Sequence, residues 1–198
     1  MIIEAYNYTG FIDYDRVQLR TASINAKITW LEYRLRKVLI DPLDQVFPPD
    51  GPCHQSVNQG DRTFNLCGVT LVACAIEGLG HFLTGNSDAT GDSFKTWVRA
   101  YMPDWDRTTP QGVRIRDWLW DSARNGLAHQ LAFKNGGTEA QGPGRFAEGT
   151  DGQIQMDPFV FYLDFKRGAV FFFRDITTNA TIQTNFGNRF AASFLQLR

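Results

Sequence analysis

Apolar residues return at helical intervals through the first two thirds of the chain. In "TASINAKITWLEYRLRKVLI" (residues 21–40), Ile24, Ile28, Leu31, Leu35 and Val38 form one stripe at spacings of four and three, which predicts an amphipathic helix. Asp41-Pro42 is expected to end it, because a proline pushes the residue before it out of the helical region. A Pro- and Gly-rich loop follows. Residues 62–84, "RTFNLCGVTLVACAIEGLGHFLT", are apolar nearly all round and predict a helix buried in the middle of a bundle. Gly68, Gly78 and Gly80 would allow close helix contacts, and Cys67 and Cys74 read as small buried hydrophobes. Residues 92–102 bring Phe94, Trp97, Val98 and Tyr101 to one side of a shorter helix, with Asp92 or Ser93 as N-cap and Pro103 as stop. Residues 110–131 predict another helix, entered through Thr109-Pro110, with Ile115, Trp118, Leu119, Ser122, Gly126 and Leu127 on its i, i+3, i+4 face.

The pattern then changes. Residues 133–158 are polar and glycine-rich and predict a flexible loop. "PFVFYLDFKRGAVFFFRDI" holds two aromatic and β-branched runs around Lys166-Arg167-Gly168, a β-hairpin signal. "TIQT" (181–184) is expected to add a strand, so 159–184 reads as a small antiparallel sheet. Phe190, Phe194 and Leu197 predict a terminal helix over 186–198. The expected architecture is a single mainly α domain over 1–198. It is an up-and-down helical bundle over 20–132 with an appended β-hairpin and a C-terminal helix.

Composition narrows the function classes. A chain of 198 residues that is 43% hydrophobic can bury a substantial core. The net charge of −1 means that no global positive field announces a nucleic-acid ligand. Basic residues do cluster early, at Arg16, Arg20, Lys27, Arg34, Arg36 and Lys37, and read as a solvated helix face. Three cysteines do not make a secreted disulfide framework. "MIIEAYNYTG" has no signal-peptide pattern, and no apolar run reads as a membrane span. The expected setting is cytoplasmic, with no membrane partner.

Few constellations carry chemistry. There is no Walker loop and no G-x-S-x-G elbow. Glu77 and His81 share a helix face, with Cys74 a turn earlier and Cys53 and His54 in the preceding loop. None has the paired spacing of a zinc site, so neither metal nor cofactor is expected. Glu77 stands in so apolar a stretch that it should be paired, and an arginine is the natural partner. In "DSARNGLAHQ" (121–130), Asn125 and His129 are i and i+4, and Arg124 lies about 100° round the helix from Asn125. A guanidinium binds phosphate through a planar fork, and an imidazole exchanges protons near neutral pH. Together they can cleave RNA without a metal: the arginine holds the scissile phosphate and the histidine moves the proton. The same residues also fit a purely structural arrangement. Arg124 would then pair with Asp121 or Glu77, and His129 would cap a helix end that favours cations.

Arg124-Asn125-Gly126-Leu127-Ala128-His129 resembles the R-N-x-x-x-H form of the R-x(4–6)-H motif of HEPN domains, and the resemblance covers about residues 20–132. It implies a bundle of four or five helices with the motif toward the end of a late helix. It implies a homodimeric, metal-independent endoribonuclease in a defence, toxin–antitoxin or stress setting, with RNA as substrate and a protein partner such as an antitoxin. On that pattern Arg124 contacts the phosphate, Asn125 orients it and His129 is the acid–base; Glu77 and Asp121, the carboxylate partners open to Arg124, are the candidate supporting residues. Products would carry 2′,3′-cyclic phosphate ends. The chain departs from the family at the expected hairpin and at Leu131-Ala132-Phe133, where some members carry a tyrosine. The alternative is a non-catalytic module of the same fold that binds RNA, a nucleotide or a protein.

Overall fold

A computed structural model describes residues 16–46, 62–86, 90–126, 133, 136–138 and 144–195. The protein is mainly helical with one small sheet. The elements are α1 (Arg16–Thr21), α2 (Ile24–Leu35), α3 (Asp41–Val46), α4 (Arg62–Thr84), α5 (Thr90–Tyr101) and α6 (Ile115–Trp118). Strands β1 (Gly136–Thr138), β2 (Phe146–Glu148) and β3 (Ile154–Met156) follow, then α7 (Pro158–Thr178) and α8 (Ala180–Phe190).

The first predicted helix does not end at Asp41-Pro42. Ser23 caps α2 by accepting from Ala26 N at 3.2 Å, and the helix runs through a π-helical stretch, Arg36–Ile40, directly into α3. Pro42 therefore lies inside a continuous helix just after the π turn, where it has no N–H to give to the ladder. The wider π turn also rotates the stripe. Val38, expected on the buried face, is 68% exposed, while Leu39 and Ile40 are buried in its place.

Helix α4 packs against α5, α7 and α8. Val69, Val72, Ala73, Ile76 and Leu79 are buried, but Leu71 is 50% exposed and Cys67 and Cys74 are exposed too. One face is therefore open, against the expectation of a helix covered on all sides. The stretch Leu66–Thr84 is long and apolar enough to cross a membrane by length and composition, against the expectation of no such run. Half of it is buried inside the bundle. At Gly80 α4 comes up against α5, since a Cβ there would clash with the Ser93 carbonyl.

Helix α5 buries Phe94, Trp97, Val98 and Tyr101 as expected. It begins at Thr90, however, so Asp92 and Ser93 lie in its first turn rather than at its cap. Helix α6 begins only at Ile115. Thr109-Pro110, expected to open it, sits in a tight turn held by Thr109 Oγ1 donating to Glu148 at 2.7 Å and by a bridge between Thr108 and Arg114. Turn and sheet thereby brace each other.

The largest correction lies in the C-terminal third. The segment expected as a flexible loop carries three strands in the order β1-β3-β2, with β1 parallel and β2 antiparallel to β3. The segment expected as a β-hairpin is the 21-residue helix α7. Asp157 caps it, accepting from Phe159 N at 2.9 Å and Val160 N at 3.0 Å, and Pro158 occupies its first turn. Phe161, Tyr162, Phe165, Gly168, Ala169, Phe172, Phe173 and Ile176 are all buried, a helical period that outweighs the β preference of the individual residues. Gly168 is not a turn glycine. A Cβ there would meet the Trp97 ring and the Tyr101 carbonyl, each at 2.9 Å. "TIQT" likewise belongs to a helix, α8, which starts six residues before the expected terminal helix and buries Phe186 and Phe190.

Aromatic rings fill the centre. Trp97 meets Phe165 at 5.8 Å, Trp105 meets Phe161 at 5.0 Å and Phe82 meets Phe186 at 5.2 Å between centroids. Such pairs add to the burial of large apolar area. The Tyr162 hydroxyl lies 2.9 Å from the Ile40 carbonyl and 2.8 Å from Asp44 Oδ1, and Lys166 Nζ donates to Asp44 at 2.6 Å. These contacts fasten α7 to α3.

Candidate functional site

The arginine of the motif arrives on a second π-helical stretch, Leu119–Arg124, which continues α6. Leu119, Ser122 and Ala123 face the core, and Arg124 emerges against α4. There its Nε donates to Glu77 Oε2 at 2.7 Å, with both side chains largely buried. Its Nη1 donates to Asn125 Oδ1 at 3.1 Å, and its Cζ lies 5.2 Å from the centre of the Trp120 ring. Ion pair, amide and ring set the guanidinium in one orientation, so few rotamers remain to be frozen when a ligand binds. Wide helical turns of this kind are frequent where a side chain must be re-aimed at a functional site.

Glu77 also faces His81. Its Oε1 lies 3.8 Å from His81 Nε2, and His81 Nδ1 stands 2.6 Å from the Asn86 carbonyl. A carbonyl can only accept, so Nδ1 carries the hydrogen and Nε2 is the nitrogen turned toward the carboxylate. A second imidazole therefore stands behind the arginine, one that the motif does not contain. Cys74 is the remaining reactive type nearby. Partial burial pushes its thiol above the usual range; Arg124 opposes that shift and Glu77 adds to it. A thiol held in its neutral form is a poor nucleophile.

The structure thus brings together Arg124, Asn125 and Glu77, and adds His81. Asp121, the other expected partner of Arg124, is exposed, and the arginine takes Glu77 instead. His129 lies outside the described residues, as do Cys53 and His54. Among the described residues no group of three or more histidine, cysteine or acidic side chains could hold a metal ion. The early basic cluster is dispersed into local contacts: Lys37 pairs with Asp41 at 2.7 Å, Arg36 with Asp41 at 3.4 Å, and Arg34 lies over the Trp30 ring.

One feature had no signature in the linear sequence. A cleft of about 370 Å³ opens between α7 and the turn that follows α5, lined by Tyr101, Asp104, Asp164, Arg167, Phe171 and Arg174 among others. Its residues are drawn from segments some sixty positions apart, and those on α7 fall where the composition predicts a β-hairpin. Comparison of the chain with protein-family models, with curated proteins and with solved structures finds no match.

Proposed function

We propose that the protein is a metal-independent endoribonuclease acting on single-stranded RNA through Arg124 and His129. The observation that carries this reading is the fixed presentation of Arg124: Glu77 at 2.7 Å on one side and Asn125 at 3.1 Å on another. A guanidinium held this way supplies charge where a phosphorane-like transition state develops it, without reorganising first. His129 removes the proton of a 2′-hydroxyl. That oxygen attacks the adjacent phosphorus, the P–O5′ bond breaks, and the leaving 5′-oxygen takes a proton from the imidazolium that His129 has become. The products are a 2′,3′-cyclic phosphate and a 5′-hydroxyl end. Glu77 acts through Arg124 as a positioning residue. The resemblance to HEPN domains adds a homodimer in which two copies of the motif share one cleft, a cytoplasmic setting in a defence or toxin–antitoxin system, and a neutralising protein partner.

The test is incubation of the purified protein with single-stranded RNA in EDTA, followed by analysis of the product ends. Cleavage with cyclic phosphate ends is expected. No cleavage, or cleavage only after a divalent metal is restored, overturns the proposal.

A specific observation also favours a second reading. The Nε edge of Arg124 is engaged by Glu77, as a structural arginine would be. On that reading the protein is a non-catalytic RNA-binding module, and it would bind single strands without cutting them.

A further inference from the structure

The cleft between α5 and α7 lies apart from Arg124; α5 packs against α7 and also against the π-helical stretch that carries Arg124. Three residues of α7 project along it, Arg167, Phe171 and Arg174, at i, i+4 and i+7 and hence on one face of the helix. Arg167 and Arg174 are 69% and 55% exposed. Phe171 is 40% exposed although its neighbours Phe172 and Phe173 are buried. Arg174 already lies over the Phe171 ring, its Cζ 4.9 Å from the centroid.

The carboxylates of the cleft are committed internally. Asp164 Oδ2 accepts from Trp105 Nε1 at 3.0 Å and from Arg145 Nε at 2.6 Å, and its Oδ1 lies 3.7 Å from Arg167 Nη1, a long and solvent-facing pair. Asp104 pairs with Arg145 at 2.9 Å and with Arg107 at 2.6 Å. Asp175 pairs with Arg174 at 3.0 Å and also bonds the Tyr101 hydroxyl. The lining itself carries two arginines and three aspartates; Arg145 and Arg107, which pair with Asp104 and Asp164 from outside it, bring the local guanidiniums to four. What the cleft offers a ligand is a π-face with a cation on either side, separated by roughly 10 Å along the helix axis.

We infer that this cleft binds single-stranded RNA, with an unpaired base stacked on Phe171 and the flanking phosphates met by Arg167 and Arg174. The chemistry fits because every base has a π-face and every linkage an anion, the combination that single-strand binding surfaces use. The modest charge excess fits a contact that holds a strand while cleavage proceeds elsewhere. The inference takes its RNA ligand from the ribonuclease proposal, and its test is separable from that one.

The probe is a fluorescein-labelled 2′-O-methyl oligonucleotide of about 12 nucleotides, long enough for a site of this kind and inert to 2′-hydroxyl attack. Binding to the full chain is read by anisotropy. Phe171→Ala is expected to weaken binding on the order of tenfold, and Phe171→Trp to restore it. Arg167→Ala is expected to lower the slope of log affinity against log salt by about 0.7. Thermal unfolding of each variant should match the wild type, since these side chains are exposed. No binding by the wild type overturns the inference, as does equal binding by Phe171→Ala. A Phe171→Trp variant as weak as Phe171→Ala overturns it too, as does displacement of the probe by polyglutamate as readily as by unlabelled RNA. Wild type that binds through Phe171 yet cuts no unmodified RNA supports this inference and sinks the ribonuclease proposal. Cleavage with Phe171-independent binding does the reverse.

Discussion

Glu77 carries its charge on a helix whose neighbouring positions are nearly all apolar, and the contact with Arg124 makes that charge tolerable. Removing either partner strands the other in a largely dry site. A double-mutant cycle on Glu77→Gln and Arg124→Met is expected to give a coupling energy of about 1–3 kcal/mol in denaturant unfolding; coupling near zero would mean the pair does not persist in solution. Tyr101 supports a second prediction at this scale. Burial, and then the Asp175 carboxylate, hold its hydroxyl up at about 12, so the folded protein favours the neutral phenol more than the unfolded chain does. That contribution is complete below about pH 10 and is lost as pH rises toward 12. Stability should therefore fall across that window, and Tyr101→Phe should flatten the fall; a variant with the same pH profile as the wild type would contradict the assignment. The ion pair was legible in the sequence, because a lone carboxylate among Ile76, Leu79 and Ala73 must find a cation. Which carboxylate Arg124 would choose was not, since Asp121 is closer along the chain and only packing brings Glu77 nearer in space.

Among the elements, α7 is the instructive one. Its aromatic and β-branched residues favour strand one by one, and Lys166-Arg167-Gly168 has the composition of a turn. The deciding information is tertiary: a surface made by Trp97 and Tyr101 accepts a stripe of helical period, and at Gly168 the two helices come too close for a side chain. Gly168→Ala tests this directly. In an open helix the change would stabilise by up to about 1 kcal/mol. Here the added methyl meets a ring and a backbone carbonyl, and a net loss of about 1–3 kcal/mol is expected in thermal or denaturant unfolding. Unchanged or raised stability would show that α7 and α5 do not pack this closely. The strands of the sheet are three residues each, too short for an alternating pattern to register, and so their glycine-rich surroundings read as loop. The stripe on α2 was legible until the π turn rotated it, which no fixed period anticipates.

For the molecule as a whole, the mainly α architecture was legible from periodicity, while the course of its C-terminal third depended on packing. A helical scaffold holds Arg124 at one edge of α4 and an Arg-Phe-Arg face beside α5. The proposal under test is that Arg124 and His129 cut RNA without a metal. The most direct measurement is single-turnover cleavage of a single-stranded RNA in EDTA by the wild type, Arg124→Ala and His129→Ala. The expected result is cleavage by the wild type, with rates lower by about 10²–10³ for Arg124→Ala and about 10²–10⁴ for His129→Ala. Equal rates in all three proteins would contradict it.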